Sequence, residues 1–334
     1  MHRSRRIGVL AALVLLGLAL PLAAETPAAV TRAIGSLRVG EPRHFAGLTV
    51  IPLLGSPSFP EASCLTLEQA LERGLLEIVE KEGGTVPEVW LTNRSERTVF
   101  LLGGEILSGA RQDRIVRRDV LVAPRRKKLA VPVYCVEQGR WQFSTGSFGS
   151  EKNLGTYKLR AKAQAAGQDG QSEVWAEVAQ ANDQAGVSSS TGAYQDAYRD
   201  GRVARRVKEL ERGLADLARS QPLAIGAVVG LGDQLVSLDL FGDPALFREL
   251  WPKILKSMAL AADVEEGRVT RAQAGELLAR LARGDYLIVP TADLGGGLAG
   301  GDELWEAGGL LHEGALLHLA AFPRLESRRP VVQE

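Results

Sequence analysis

Four short apolar runs, separated by polar turns, make up residues 88–141, EVWLTNRSERTVFLLGGEILSGARQDRIVRRDVLVAPRRKKLAVPVYCVEQGRW. The first two runs flank residues 93–97, and the last two flank PRRKK at residues 124–128, which predicts two successive β-hairpins. The connections are too short for helical crossovers, so the strands should pair antiparallel, as a meander or half of a sandwich. Pro132 cannot donate to a strand ladder, which places it at an edge or a bulge.

Helix signals and further strands lie on both sides of this region. Thr66 and Gln69 form the Ser/Thr-x-x-Glu/Gln pattern of a capping box, and Pro244 suits the first position of a helix. The remaining apolar periodicity predicts helices over residues 202–219 and 270–282, and strands over residues 48–54, 223–240, 286–290 and 315–321. The sequence therefore predicts an α+β fold: an antiparallel β-meander or sandwich core with several packing helices.

The N-terminus has the order of a secretory signal peptide. Arg3, Arg5 and Arg6 precede an apolar run of 14 residues, Ile7 to Leu20, and small residues follow up to Ala24. A helix that spans a bilayer needs about 20 apolar residues, which disfavours a permanent anchor. We expect cleavage after Ala24, no stable membrane span afterwards, and an exported protein that is periplasmic or secreted.

These signals divide the chain into four segments. The signal peptide covers residues 1–24, and residues 25–40 have little periodicity, which predicts a flexible N-terminal segment. A single α+β domain is expected over residues 41–323. Residues 324–334 are predicted to be a flexible tail.

Composition and charge exclude several classes of protein. The chain has 334 residues, 45% of them hydrophobic and 24% charged, which excludes intrinsic disorder and collagen. Its 40 basic and 40 acidic residues balance, and loss of residues 1–24 would leave 37 against 40, a net charge of −3. No global field would attract nucleic acid, so we expect no nucleic-acid partner.

One segment departs from this balance. Residues 111–128 contain eight basic and two acidic residues, a local charge of +6. Arginine forks bind carboxylate or phosphate, and an indole offers a stacking face, so we predict a site for an anionic small molecule. Its candidate residues are Glu105, Gln112, Arg114, Glu137, Arg140 and Trp141. The alternative is that Glu105 and Glu137 only pair with Arg114 and Arg140 and hold two hairpins together.

Patterns for cofactors and metals are weak. Residues 295–300, GGGLAG, match G-x-G-x-x-G, but no helix signal follows directly, so a surface loop is the better interpretation. His312 and His318 would share a strand face without a third ligand, so we predict no metal site and no cofactor. Cys64 and Cys135 are either bridged or, for Cys135, buried as a small hydrophobic residue.

Five quoted stretches carry a family resemblance: GGEILSGARQDR (103–114), VPVYCVEQGRW (131–141), SEVWAEVA (172–179), SSSTGAYQDAY (188–198) and GALLHLAAF (314–322). Together they resemble a bacterial family of uncharacterised function, the ADP-ribosylglycohydrolase- and rhodanese-phosphatase-associated protein domain, over residues 40–322. The resemblance implies one continuous domain. Residues 144–198, whose Gly, Ser, Gln and Ala content is typical of a linker, would then belong to it. It also implies an association with ADP-ribose and phosphate enzymes, but no catalytic residue.

Three functions remain open. The first is a binding or accessory domain for an anionic ligand, nucleotide-like or ADP-ribose-like. The second is a hydrolase that uses Glu105 or Glu137 as general acid or base. The third is an envelope structural or protein-interaction module, for which the sequence names no partner.

Overall fold

A computed structural model describes residues 27–60, 63–81, 87–140, 145–165, 170–261 and 266–325. The predicted signal peptide and Trp141 lie outside the described residues. The helices are α1 (Ala28–Gly35), α2 (Leu67–Glu72), α3 (Tyr157–Ala165), α4 (Gln171–Gln184), α5 (Gln195–Arg199), α6 (Gly201–Leu214), α7 (Leu217–Ser220), α8 (Pro244–Met258) and α9 (Arg271–Leu281).

The strands are β1 (Arg38–Val39), β2 (Arg43–Phe45), β3 (Leu48–Leu54), β4 (Cys64–Thr66), β5 (Leu76–Glu80), β6 (Glu88–Asn93), β7 (Thr98–Leu101), β8 (Ile106–Gly109), β9 (Arg114–Val116), β10 (Val120–Val122), β11 (Leu129–Cys135), β12 (Phe148–Gly149), β13 (Ala224–Leu231), β14 (Gln234–Phe241), β15 (Asp285–Val289), β16 (Gly296–Gly301), β17 (Trp305–His312) and β18 (Ala315–Pro323). They form one large sheet and two smaller ones, and the predicted α+β class with an antiparallel core is confirmed.

The large sheet has the strand order β1-β3-β13-β14-β18-β17-β16-β15, with β2 paired to β3. All its pairs are antiparallel. Buried side chains of α1 and α9 pack in one apolar cluster with it, and those of α6 and α8 pack in another. The sheet is thus covered by helices, as expected for strands that are apolar along their whole length.

The two smaller sheets derive from residues 64–149. One has the order β10-β7-β4, and the other has the order β12-β8-β9-β11-β6-β5. Alternate residues of their strands, such as Val99 and Leu101 on one sheet and Val131 and Val133 on the other, share one apolar cluster. This packing is the sandwich part of the predicted core.

The strands predicted in residues 88–141 are present, but their pairing differs from two simple hairpins. β6 and β7 belong to different sheets, and the turn between them is held by the Asn93 amide, which donates to the carbonyls of Arg97 and Ala123 at 2.8 Å. The second predicted hairpin is partly correct: β9 pairs with β11, whereas β10 leaves to pair with β7. Pro132 lies inside the sheet, where β11 changes its partner from β6 to β9, so its missing donor interrupts neither ladder.

Regular structure is present in the segment predicted to be flexible and in the stretch whose composition is typical of a linker. The sequence predicts flexibility over residues 25–40, whereas α1 and β1 lie there and Val30 is fully buried. Residues 157–165, 171–184 and 195–199, within the stretch whose composition is typical of a linker, form α3, α4 and α5. Their buried residues, including Val174 and Ala197, belong to the apolar cluster that contains α6 and α8, and this burial offsets the entropy cost of ordering these helices.

The glycine-rich stretch is a strand rather than a surface loop. β16 pairs with β15 on one side and β17 on the other, so no helix follows it and the dinucleotide-binding arrangement is absent from this part of the described chain. A Cβ on Gly300 would lie 2.0 Å from the Asp285 carbonyl oxygen, and one on Gly309 would lie 2.1 Å from that of His318. Glycine permits this close approach of neighbouring strands.

Two further observations concern the membrane and the cysteines. In the described residues, no helix combines the length and the apolar character needed to cross a membrane. In the same residues, Cys64 and Cys135 are both buried free thiols, and burial raises the pKa of Cys135 to about 11. This agrees with the interpretation of Cys135 as a small buried hydrophobic residue.

Candidate functional site

Four of the predicted site residues, Gln112, Arg114, Glu137 and Arg140, lie together in a polar cluster. This motif cluster also contains Glu80, Arg111 and Asp113. Arg114 opens β9 with only 2% of its side chain exposed. Its guanidinium donates to the main-chain carbonyl of Gln112 at 3.1 Å and to its side-chain oxygen at 3.3 Å. It also lies 3.5 Å from the carboxylate of Glu80.

Arg140 connects the rest of the motif cluster. Its guanidinium lies 2.6 Å from Glu137 Oε2 and 3.1 Å from Asp113 Oδ1, and it donates to the Ala110 carbonyl at 3.0 Å. Glu137 also accepts a hydrogen bond from Thr191 Oγ1 at 3.1 Å. The hydrogen bond and charge of Glu137 raise the pKa of Arg140, and burial raises the pKa of Asp113 to about 6.

The charges of the motif cluster balance. Its arginines are Arg111, Arg114 and Arg140, and its acids are Glu80, Asp113 and Glu137. Arg111 Nε lies 3.4 Å from Glu80, so each arginine contacts at least one of the carboxylates. The positive charges of Arg111 and Arg114 are therefore neutralised within the cluster. The cluster has the form of the predicted alternative, a network that holds neighbouring loops together.

Glu105 lies in a separate, buried group. Its side chain has no exposed surface, and its Oε1 lies 2.5 Å from Lys253 Nζ, which in turn lies 2.5 Å from Glu68 Oε1. Its other oxygen accepts the main-chain N–H of Leu102 at 3.0 Å. Burial raises the pKa of Glu105 to about 7, against the attraction of Lys253. Because Glu105 and Glu137 share no partner among these contacts, a two-carboxylate site built from them is not assembled here.

A cleft of about 470 Å³ opens where the three sheets meet, here called the three-sheet cleft. Arg117, Arg118 and Asp119, in the link between β9 and β10, line one part of it. The other lining residues come from β6, β10, β11, β16, β17, the end of α3 and the segment after β15: Glu88, Val120, Ala130, Pro132, Ala165, Pro290, Thr291, Ala292, Gly297 and Gly309.

Each arginine of the cleft is held in place. The guanidinium of Arg117 lies 4.8 Å from the ring centre of Tyr134, a cation–π contact. Arg118 donates through Nε and Nη2 to the Gln164 carbonyl at 3.1 and 3.0 Å. Burial and the neighbouring charge of Arg117 lower the pKa of Arg118, and Glu306 only partly offsets them.

The carboxylates that line the cleft already have cationic partners. Asp119 Oδ2 lies 2.6 Å from His318 Nδ1, and Glu88 Oε2 lies 2.6 Å from Lys81 Nζ. Among the basic residues of the positively charged stretch 111–128, Arg117 and Arg118 are thus the ones that line the three-sheet cleft. The remaining basic residues of that stretch, from Arg125 to Lys128, are exposed at the turn before β11.

Three of the stretches that carry the family resemblance meet beside the motif cluster. The Gly139 N–H donates to the Thr191 carbonyl at 2.6 Å, and Gln195 donates to Ser108 Oγ at 2.5 Å. A family model described as ARPP-1, the ARG and Rhodanese-Phosphatase-superfamily-associated Protein domain, matches residues 36–322. The chain belongs to the ARPP-1 family. No curated protein and no solved structure matches the chain.

A chain of buried charges extends from the cleft into the interior of this ARPP-1 domain. His318 Nε2 lies 3.2 Å from Asp239 Oδ1, and Arg160 binds both oxygens of Asp239, at 3.1 and 2.6 Å. Burial disfavours the imidazolium, but Asp119 and Asp239 outweigh it and raise the pKa of His318 to about 9. Burial also opposes ionisation of Asp239, yet Arg160 and His318 hold its pKa below its usual range.

In the described part of the ARPP-1 domain, no three His, Cys, Asp or Glu side chains group as metal ligands would. His318 is buried between carboxylates, whereas His312 is partly exposed and stacks on Phe59 with ring centres 6.3 Å apart. In the sequence, Asp239 and His318 each stand as an ionisable residue inside an apolar strand. Local patterns do not show that the two side chains are in contact.

Proposed function

We propose that this ARPP-1 domain binds an anionic small molecule in the three-sheet cleft, with Arg117 and Arg118 as the groups that contact the anion. The observation that carries this proposal is the pair of consecutive guanidinium groups in a cavity whose own carboxylates are already paired with His318 and Lys81. The motif cluster supports the loops nearby, and its balanced charges leave no comparable attraction for an anion.

The energetic argument rests on burial and repulsion. Both arginines are partly buried, so they have lost part of their hydration, and the charge of Arg117 disfavours that of Arg118. An anion between them would offset both costs. Hydrogen bonds to charged groups contribute about 1.5–3 kcal/mol each, which corresponds to roughly tenfold to hundredfold in affinity.

Thermal unfolding at low ionic strength tests the proposal. Inorganic phosphate and pyrophosphate should raise the melting temperature of the wild type, and Arg117→Gln and Arg118→Gln should each weaken binding about tenfold to hundredfold. Arg125→Gln is the matched control, because Arg125 is 73% exposed and pairs with Glu96 outside the cleft. An unchanged melting temperature of the wild type with both anions, or equal stabilisation of the two cleft variants, would refute the proposal.

We further propose that the protein is exported, which the order Arg3, Arg5, Arg6, apolar run and Ala24 supports. Expression of the whole chain in a bacterial host should yield a periplasmic or secreted form whose N-terminal residue is Glu25. N-terminal sequencing of the fractionated protein makes the measurement. A chain that keeps residues 1–24 and stays in the cytosolic fraction would contradict export.

A further inference from the structure

We infer that the anion taken by the three-sheet cleft is a phosphate ester with a flat organic group of nucleoside size. This inference rests on the proposed function and adds to it the part of the ligand that the arginines do not explain.

The first observation is the size of the cleft. A water molecule occupies about 30 Å³ in the liquid, so a cleft of about 470 Å³ is far larger than an inorganic phosphate requires. Cavities of this volume fall in the range of sites for whole small molecules.

The second observation is that the lining changes from apolar to cationic along β11. Alternate residues of a strand lie on one face, so Ala130, Pro132 and Tyr134 of β11 form a row. Leu129, Val131 and Val133 face the opposite way, into the core of the small sheets. The row begins with apolar Ala130 and Pro132 and ends at Tyr134, beneath the guanidinium of Arg117.

Four residue steps along a strand cover about 13 Å, so Ala130 lies in an apolar half of the cleft, away from the cationic half at Arg117, whose guanidinium contacts the buried Tyr134. Pro290 and Ala292 add apolar lining, and Gly297 and Gly309 also border the cleft. A flat, apolar ring suits such a space. A small free anion would leave this half of the cleft empty.

The third observation favours a nucleoside over a plain aromatic ring. Glu88 lines the cleft and is the register partner of Pro132 across β6 and β11. Its carboxylate, held by Lys81 and half-exposed, is an acceptor for hydroxyl or amino donors. A nucleoside monophosphate joins the features that the lining would recognise: a ring, donor groups and a phosphate.

Calorimetric titration of the wild type with adenosine monophosphate, uridine monophosphate, adenosine and inorganic phosphate tests the inference. At least one nucleotide should bind at least tenfold more tightly than phosphate, and adenosine should bind more weakly than that nucleotide. Ala130→Phe should fill the apolar half, reduce nucleotide affinity to the level of phosphate, and leave phosphate binding unchanged. Its control is Lys127→Phe, in the exposed turn before β11.

The outcomes separate the inference from the proposed function. If phosphate binds as tightly as both nucleotides, or Ala130→Phe leaves nucleotide affinity unchanged, the inference is wrong and anion binding stands. If neither phosphate nor the nucleotides bind, both are wrong. Circular dichroism of Ala130→Phe confirms that a loss of affinity does not come from unfolding, and Ala130→Leu provides a smaller filling group for the same comparison.

Discussion

Lys253→Met should lower the free energy of unfolding by about 3–5 kcal/mol at pH 8, because it leaves the Glu105 carboxylate buried without its cationic partner. Lys253 Nζ lies 2.5 Å from both Glu105 and Glu68, and Glu105 is fully buried. Glu68, at the surface edge of this group, keeps some contact with water. Most of the lost stability therefore comes from Glu105, because its buried surroundings disfavour a charged carboxylate.

The pH dependence identifies the mechanism of this loss. Glu105 has a folded pKa of about 7, above its ordinary value of 4.5, so ionisation of Glu105 reduces stability as pH rises between these values. Without Lys253 the folded pKa should rise further, and the loss should continue to higher pH. The deficit of Lys253→Met should hence be smaller near pH 5, where Glu105 is protonated and only Glu68 loses an ionic partner, than at pH 8.

Urea denaturation at both pH values measures the effect. Lys152→Met is the matched control, since Lys152 is 64% exposed in its ion pair with Glu72 and surface pairs contribute about 0–1 kcal/mol. The double variant Lys253→Met/Glu105→Gln should recover part of the loss, because it removes the unpaired charge. Equal deficits for Lys253→Met and Lys152→Met at pH 8 would show that the buried pair contributes little.

His318→Gln should lower the free energy of unfolding by about 3 kcal/mol below pH 6.5, since the imidazolium pairs with two buried carboxylates. The carboxylates of Asp119 and Asp239 raise the pKa of His318 from 6.5 to about 9, and each pKa unit corresponds to about 1.4 kcal/mol. A folded pKa above the unfolded one gives stability that is complete below pH 6.5 and is lost as pH rises through about 9. The wild type should show this decline.

The test compares pH profiles of stability between pH 6 and 9.5. The profile of His318→Gln should be flatter than that of the wild type over this range, and the two should converge towards its upper end. His312→Gln, on the neighbouring strand and partly exposed, should keep the wild-type slope. Parallel profiles for wild type and His318→Gln would mean that His318 does not titrate in this range. The decline of wild-type stability with pH would then not come from the buried charge chain.

Residues 88–141 show how far local patterns extend. The apolar runs and turns locate β6, β7 and β11 correctly, because alternation and turn residues depend on neighbours in sequence. The partners do not follow from these patterns. β7 pairs with β10 and, in parallel, with β4, which lies more than 30 residues earlier in the chain. The prediction of the first hairpin failed because a turn specifies a change of direction and not the sheet that the chain enters.

The candidate site was predictable in part. Gln112, Arg114, Glu137 and Arg140 do lie together, while Glu105, predicted beside them, contacts Lys253, which comes 148 positions later. Arg117 and Arg118 belong to the positively charged stretch, but β11, β16, β17 and α3 must come together before they border a cavity. A count of charges in sequence cannot separate arginines that acids neutralise from arginines that face a cleft.

The sequence by itself determined the α+β class, the capping box at Thr66, the presence of strands within residues 223–240, and the family. These depend on propensities, turn residues and hydrophobic periods, which are local. Only the tertiary structure decided which strands share a sheet, which charges neutralise one another, and that Arg117 and Arg118 border the three-sheet cleft. Pairing and desolvation depend on groups distant in sequence, whose separation in space a linear pattern does not contain.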